Sequence, residues 1–281
     1  MLALIVGVPK SGKTVSALTF PKPLLYVGLE PEGIESVYNA KGDDNRLIVP
    51  TVESDKIDVV PIIRSTRADL HLKTPTKEDY KGTQKPAYAK GGYDAIIKWN
   101  TLVNSLDEKG IPDPELIQNP RDRAPHGGPY RTLVIDSATS LFRYLKEAIM
   151  WANNMPRLRI GDYGTLEGNL FGQMIPDMQR MLQQGHFDWV IVVVHEELFQ
   201  AEDSKEIYEQ PVGPSRAQGR QMSKEFSECW RQVAKGGKYI WRTKPHGHFA
   251  TAGSRLHLPD KIDANFKALT EVLPASMKHL L

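Results

Sequence analysis

Residues 7 to 14 read Gly7-Val8-Pro9-Lys10-Ser11-Gly12-Lys13-Thr14, a complete G-x-x-x-x-G-K-T pattern directly preceded by the apolar run Leu2 to Val6. Each residue type answers a need of a polyphosphate. Gly7 and Gly12 let successive backbone N–H groups curl around phosphate oxygens, Lys13 brings positive charge to the β and γ groups, and the Thr14 hydroxyl ligates Mg²⁺. Pro9, Lys10, Ser11 and Val15 complete the stretch of backbone that touches the nucleotide. A helix beginning at Lys13 would aim the positive end of its dipole at the same phosphates. The pattern predicts a bound nucleoside triphosphate.

Further along, the apolar segment Thr132 to Ile135 closes on Asp136 and Ser137, the form of a second phosphate-site element whose carboxylate holds the Mg²⁺ shell. The local alternative is a helix N-cap at a strand-helix junction. Glu30 stands 23 residues after Gly7, just past the predicted strand Leu24 to Val27, where a carboxylate would face the γ-phosphate and polarise water; Glu32 is its nearest rival. The apolar run Trp189 to Val194 ends in His195, a polar residue placed to hydrogen-bond the γ-phosphate. Phe199 stands where a zinc-protease H-E-x-x-H pattern needs its second histidine, and His246-Gly247-His248 reads as a turn.

The elements that must position these residues alternate strand-like and helix-like segments, which predicts an α/β fold: a mostly parallel central sheet with helices on both faces, in a single domain over 1–281. Strands are expected at Leu24 to Val27, Ile57 to Ile63, Arg131 to Asp136 and Trp189 to Val194, with a helix at Tyr93 to Leu106. Two long insertions interrupt the pattern. The first, 64–92, carries seven Lys or Arg against three acids with Tyr80 and Tyr88 interleaved, and reads as a solvated basic loop; the second, 108–130, is rich in Pro and Gly. With 281 residues, 40% hydrophobic and 25% charged, the chain buries a full core. Its net charge of +2 is too mild to indicate nucleic acid, its lone Cys229 excludes an internal disulfide and suits a reducing cytoplasm, and no segment reads as a signal peptide or membrane span.

Taken together, the loop, Tyr26-Val27-Gly28-Leu29-Glu30, Leu133-Val134-Ile135-Asp136-Ser137-Ala138 and Val192-Val193-Val194-His195 resemble the RecA family, and within it the core-only RecA-like recombination ATPases of bacteriophages. The resemblance implies a RecA-like P-loop fold and Mg²⁺-dependent ATP hydrolysis, with Glu30 as the catalytic glutamate. It also implies single-stranded DNA, further copies of the chain and a single-strand-binding protein as partners. On that resemblance Arg157 and Arg159 occupy the first DNA-binding loop, and Arg216 and Arg220 the second, between Glu197 and Lys224. Arg242 and Lys244 match the paired basic residues through which one subunit reaches its neighbour's nucleotide. The phosphate loop begins at residue 7, so the leading segment by which filament-forming recombinases grip each other is missing, and Glu202, Asp203, Glu206 and Glu209 make part of the second loop acidic. Aromatic residues are scattered too widely along the chain to define a stacking platform. A ring ATPase of the replicative-helicase type and a nucleotide-dependent assembly or packaging switch fit the same motifs; turnover with and without single-stranded DNA, beside the mass of the oligomer, discriminates, a DNA-indifferent rate favouring the switch.

Overall fold

The computed structural model describes residues 1–38, 56–66, 69–70, 86–118, 125–200, 207–249 and 251–280. Tyr80, most of the basic stretch, Glu202, Asp203 and Glu206 lie outside them. Six strands run parallel in the order β7 (Glu228–Lys235), β1 (Leu2–Gly7), β5 (Trp189–Gln200), β4 (Thr132–Asp136), β2 (Leu24–Gly28) and β3 (Ile57–Pro61). One edge turns antiparallel, with β8 (Lys238–Arg242) and β10 (Lys261–Asp263) beyond β7, and the short β9 (Gly253–Ser254) against it. Strands β1, β2 and β4 are buried along their whole length, which is why they read as unbroken apolar runs rather than alternating ones.

Alternate side chains of those runs feed two cores. Leu4, Val6, Val27, Ile135 and Val192 face α3 (Lys90–Ser105), α4 (Ala138–Ala152) and α6 (Ile175–Gln183) on one side. Ala3, Ile5, Tyr26, Val134 and Val193 face α1 (Lys13–Ala17), α2 (Pro31–Tyr38) and α8 (Phe266–Val272) on the other. The predicted mostly parallel sheet with helices on both faces is therefore the fold. The second core is dominated by aromatic rings: Trp230 stacks on Trp241 at 4.7 Å between centroids, and Phe20 meets Trp189 edge-on at 5.2 Å.

Parallel register brings the strand ends to one level. Gly7 pairs with His195 and Gly28 with Asp136, so the carboxyl ends of β1, β2, β4 and β5 share one rim. The chain crosses from β1 over β5 and β4 to reach β2, and later returns to the far side of β1 as β7. Such a switch in strand order opens a crevice at the carboxyl ends, where open α/β sheets bind ligands.

One element departs from expectation. Strand β5 does not stop at Val194 but runs to Gln200 and pairs antiparallel with β6 (Ile207–Pro211), and α7 (Arg216–Met222) follows. In its described residues, the region expected to be the second DNA-binding loop is thus a hairpin and a helix. The reason lies in composition: Phe199, Ile207 and Tyr208 are strand formers, and they continue the ladder beyond the buried part of the sheet. Ser215 then starts α7 as its N-cap, its side chain accepting from the Gln218 N–H.

Helices α3 and α4 meet closely because Gly92 has no side chain: a Cβ there would come within 2.4 Å of Glu147 Cβ and 3.1 Å of the Tyr144 carbonyl. At Gly164, in α5 (Asp162–Asn169), a Cβ would meet nothing within 4 Å. Urea denaturation should accordingly find Gly92→Ala destabilised by about 1–3 kcal/mol, since two packed helices must separate. Gly164→Ala should be neutral or stabilised by up to about 1 kcal/mol, because alanine loses less backbone entropy in a helix. Equal effects at both sites would contradict this packing.

Candidate functional site

The phosphate loop leaves β1 at Gly7 and turns into α1 through Lys10 and Gly12, both in the left-handed region at φ 64° and 81°. It borders a cavity of about 520 Å³ lined by Pro9, Lys10, Gly12, Lys13, Thr14 and Val15 of the loop, Glu30, Asp136 and His195 from the strand ends, and Tyr239 from β8. Of the loop residues expected to touch a nucleotide, Gly7 and Ser11 lie beneath the cavity, with Ser11 1% exposed. The others line it directly.

Lys13 is buried and donates from Nζ to the carbonyls of Gly7 at 2.9 Å and Val8 at 2.7 Å. Burial lowers its pKa to about 8, against the opposing pull of the Asp136, Glu196 and Glu30 carboxylates. The Thr14 hydroxyl donates to Asp136 Oδ2 at 2.5 Å, and the Tyr26 hydroxyl to the same oxygen at 2.9 Å. Burial raises the Asp136 pKa, with nearby Glu30 adding to the rise and Thr14, Tyr26 and Lys13 opposing it. A hydroxyl and a desolvated carboxylate side by side form a hard, all-oxygen donor pair, the chemistry that suits Mg²⁺. The structure thus joins the two residues singled out for the metal, which stand 122 positions apart.

Glu30 accepts from the hydroxyls of Ser137 at 2.6 Å and Ser140 at 2.7 Å. Burial works to raise its pKa, but those two bonds and the charges of His195 and Arg143 prevail, so the group is held below the ordinary carboxylate value. Its rival Glu32 also borders the cavity but lies exposed, one residue into α2. For His195, burial and the Lys13 charge lower the pKa while Glu30 pulls it upward.

A family model described as an AAA domain matches residues 1–255. The chain belongs to the AAA domain family. No curated protein matches it. Among solved structures, the crystal structure of the RadB recombinase is similar at 14% identity, over 85% of this chain and 78% of that one, with a TM-score of 0.36.

The remaining expected residues of this AAA domain lie away from the cavity. Arg157 and Arg159 are exposed between α4 and α5, and Arg159 has an acidic neighbour, Asp162, at 3.5 Å. Arg216 and Arg220 project from α7 over the β5–β6 hairpin, Arg216 at 4.9 Å from the Phe199 ring centre and Arg220 at 4.7 Å from that of Tyr208. The fold thus assembles an aromatic pair that sequence spacing conceals, since Phe199 and Tyr208 are opposed across the hairpin. Gln218 Nε2 reaches the Tyr163 carbonyl at 3.4 Å, so α7 touches the start of α5 and the two arginine segments adjoin. Arg242 and Lys244 sit at the antiparallel edge, outside the cavity lining, with Lys244 bound to Asp260 at 2.6 Å. Among the described residues, no cluster of three or more metal-type ligands occurs and no helix is long and apolar enough to cross a membrane.

Three contributors escaped sequence reasoning. Tyr26 supports Asp136 from within the sheet, Gly33 lets α2 approach, since a Cβ there would meet the Tyr26 hydroxyl at 2.5 Å, and Tyr239 lies against Gly12. Only Tyr26 carried a signal: a hydroxyl within an otherwise apolar strand must find a buried partner. Because the free site holds Lys13 near a pKa of 8, its charge is present below that pH and lost above it. Calorimetric affinity for a triphosphate should therefore decline as pH rises through about 8. An affinity flat up to the ordinary lysine value of 10.5 would contradict the burial argument.

Proposed function

We propose that this AAA domain hydrolyses ATP with Mg²⁺ and couples the cycle to single-stranded DNA in recombination or strand annealing of the bacteriophage type. The observation that carries the reading is the convergence of Lys13, Thr14, Glu30, Asp136 and His195 on one cavity. Lys13 exchanges its two loop carbonyls for phosphate oxygens, and the loop N–H groups and the start of α1 share the remaining charge. Thr14 and Asp136 would hold Mg²⁺, which when bound neutralises charge on the phosphates. Glu30, an ionised carboxylate fixed by two serine hydroxyls, accepts a hydrogen bond from water and aligns it for in-line attack, releasing ADP and phosphate. His195 meets the γ-phosphate oxygens. Arg242 and Lys244 supply charge to the site of an adjacent copy, a role favoured by their position outside their own cavity.

Coupling to DNA is supported by connectivity. His195 and Phe199 lie on the same strand, so a shift at the phosphate end is transmitted without a break to the hairpin beneath Arg216 and Arg220. Exposed arginines and aromatic faces together suit a phosphate backbone with unstacked bases. Arg157 and Arg159 precede α5, whose start touches α7, and would extend the same surface.

ATP turnover measured with and without single-stranded DNA tests the reading. DNA should stimulate wild-type turnover, and Lys13→Ala should abolish it. Replacing Arg157 and Arg159 together should leave basal turnover intact, weaken stimulation, and reduce the slope of log K against log salt by roughly 1.4, at about 0.7 for each phosphate no longer neutralised. A DNA-indifferent rate would instead favour an assembly or packaging switch, and near-normal turnover in Lys13→Ala would overturn the ATPase reading.

A further inference from the structure

Gln232 lies within β7, beside β1, and is 1% exposed. Both ends of its amide are engaged. Trp241 Nε1 lies 2.9 Å from one amide atom, and because an indole N–H only donates, that atom is the oxygen Oε1. The same oxygen accepts from Ser16 Oγ at 2.5 Å. The amide NH₂ is thereby turned the other way, and Nε2 donates to the Ser11 carbonyl at 2.7 Å. One side chain thus joins the phosphate loop, the helix that follows it and the neighbouring strand β8.

The bond to Ser11 fixes more than one atom. The carbonyl of Ser11 and the N–H of Gly12 belong to one planar trans peptide and point in opposite directions. With the carbonyl held toward β7, the Gly12 N–H is aimed away from the sheet, on the side where Gly12 lines the cavity. The rest of the β7–β8 hairpin also packs closely against the loop. A Cβ on Gly7 would meet the Gln232 carbonyl at 2.6 Å, and one on Gly12 would meet the Tyr239 ring at 2.6–2.8 Å, so neither position has room for a side chain.

We infer that Gln232 is the positioning residue of the phosphate loop: its amide orients the Ser11–Gly12 peptide so that the Gly12 N–H faces the phosphates. The inference deepens the ATP-binding reading and rests on it. Gln232 itself touches no phosphate. It acts by removing the cost of ordering the loop when the ligand arrives.

The test is the affinity for Mg-ATP, measured by calorimetry beside thermal unfolding, in Gln232→Met, Gln232→Glu and Trp241→Phe. Gln232→Met fills the same space without a donor and should bind about tenfold more weakly, as expected when a preorganised polar contact is removed. Trp241→Phe removes the bond on the far side of the same amide; it should unfold more readily yet keep its affinity within about twofold of wild type. Gln232→Glu supplies the rescue: a protonated carboxyl is nearly isosteric with the amide and donates to Ser11, so affinity relative to wild type should recover as pH falls. Should Gln232→Met fail to fold, the pH-dependent recovery in Gln232→Glu carries the test. The inference is overturned if Gln232→Met binds as wild type does, if it and Trp241→Phe weaken in affinity in proportion to their loss of stability, or if Gln232→Glu shows no recovery. A wild-type protein that binds no nucleotide overturns the ATP reading itself, an outcome distinct from all of these.

Discussion

The hydrogen bond from the Thr14 hydroxyl to the Asp136 carboxylate ties the start of the first helix to the end of a strand two places away in the sheet. It can form only if β1, β5 and β4 lie in parallel register, with Gly7 level with His195 and Asp136 level with Val193. The apolar runs secure that register by burial on both faces, since a slip would move every side chain to the opposite core. The chemistry of the rim therefore depends on the packing of the sheet. Asp136 has little freedom of its own, because Tyr26 donates to the same oxygen from below and Gly33 brings α2 against both groups.

Electrostatics follow from that enclosure. A lysine and two carboxylates share a space largely removed from water, where each raises or lowers the others' affinity for protons. Burial penalises all three charges, and the penalty is met differently in each case. Lys13 uses two loop carbonyls, Glu30 two serine hydroxyls and Asp136 a threonine and a tyrosine. On the function proposed above, a polyanion and a divalent cation would together restore the balance that burial disturbs. Glu30 and Asp136 have pKa values pushed in opposite directions, Glu30 down by its two serine hydroxyls and Asp136 up by burial.

The rim was legible in the sequence because its residues terminate apolar strands or fill a motif of fixed spacing. Lys13, Thr14, Glu30, Asp136 and His195 all stand at such positions, and all five border one cavity. What escaped reading was lateral. Gln232, Tyr239 and Gly33 act through neighbours distant in the chain, and their residue types are ordinary at their own positions. The hairpin of β5 and β6 was missed for a different reason: the long buried run before it ends at Val194, and the weaker alternation that follows resembles a loop when its partner strand is not in view. Arg159 is a smaller case, since its partner Asp162 stands three residues on, at the start of α5.

The central claim is that Glu30 orients the attacking water in a site that binds ATP without its help. It is tested most directly by mixing Glu30→Gln with stoichiometric Mg-ATP, quenching, and identifying the nucleotide that remains bound, with Glu32→Gln treated alike. The account predicts intact ATP retained by Glu30→Gln and prompt conversion to ADP by Glu32→Gln. Conversion by Glu30→Gln at the wild-type rate, or a block confined to Glu32→Gln, would contradict it.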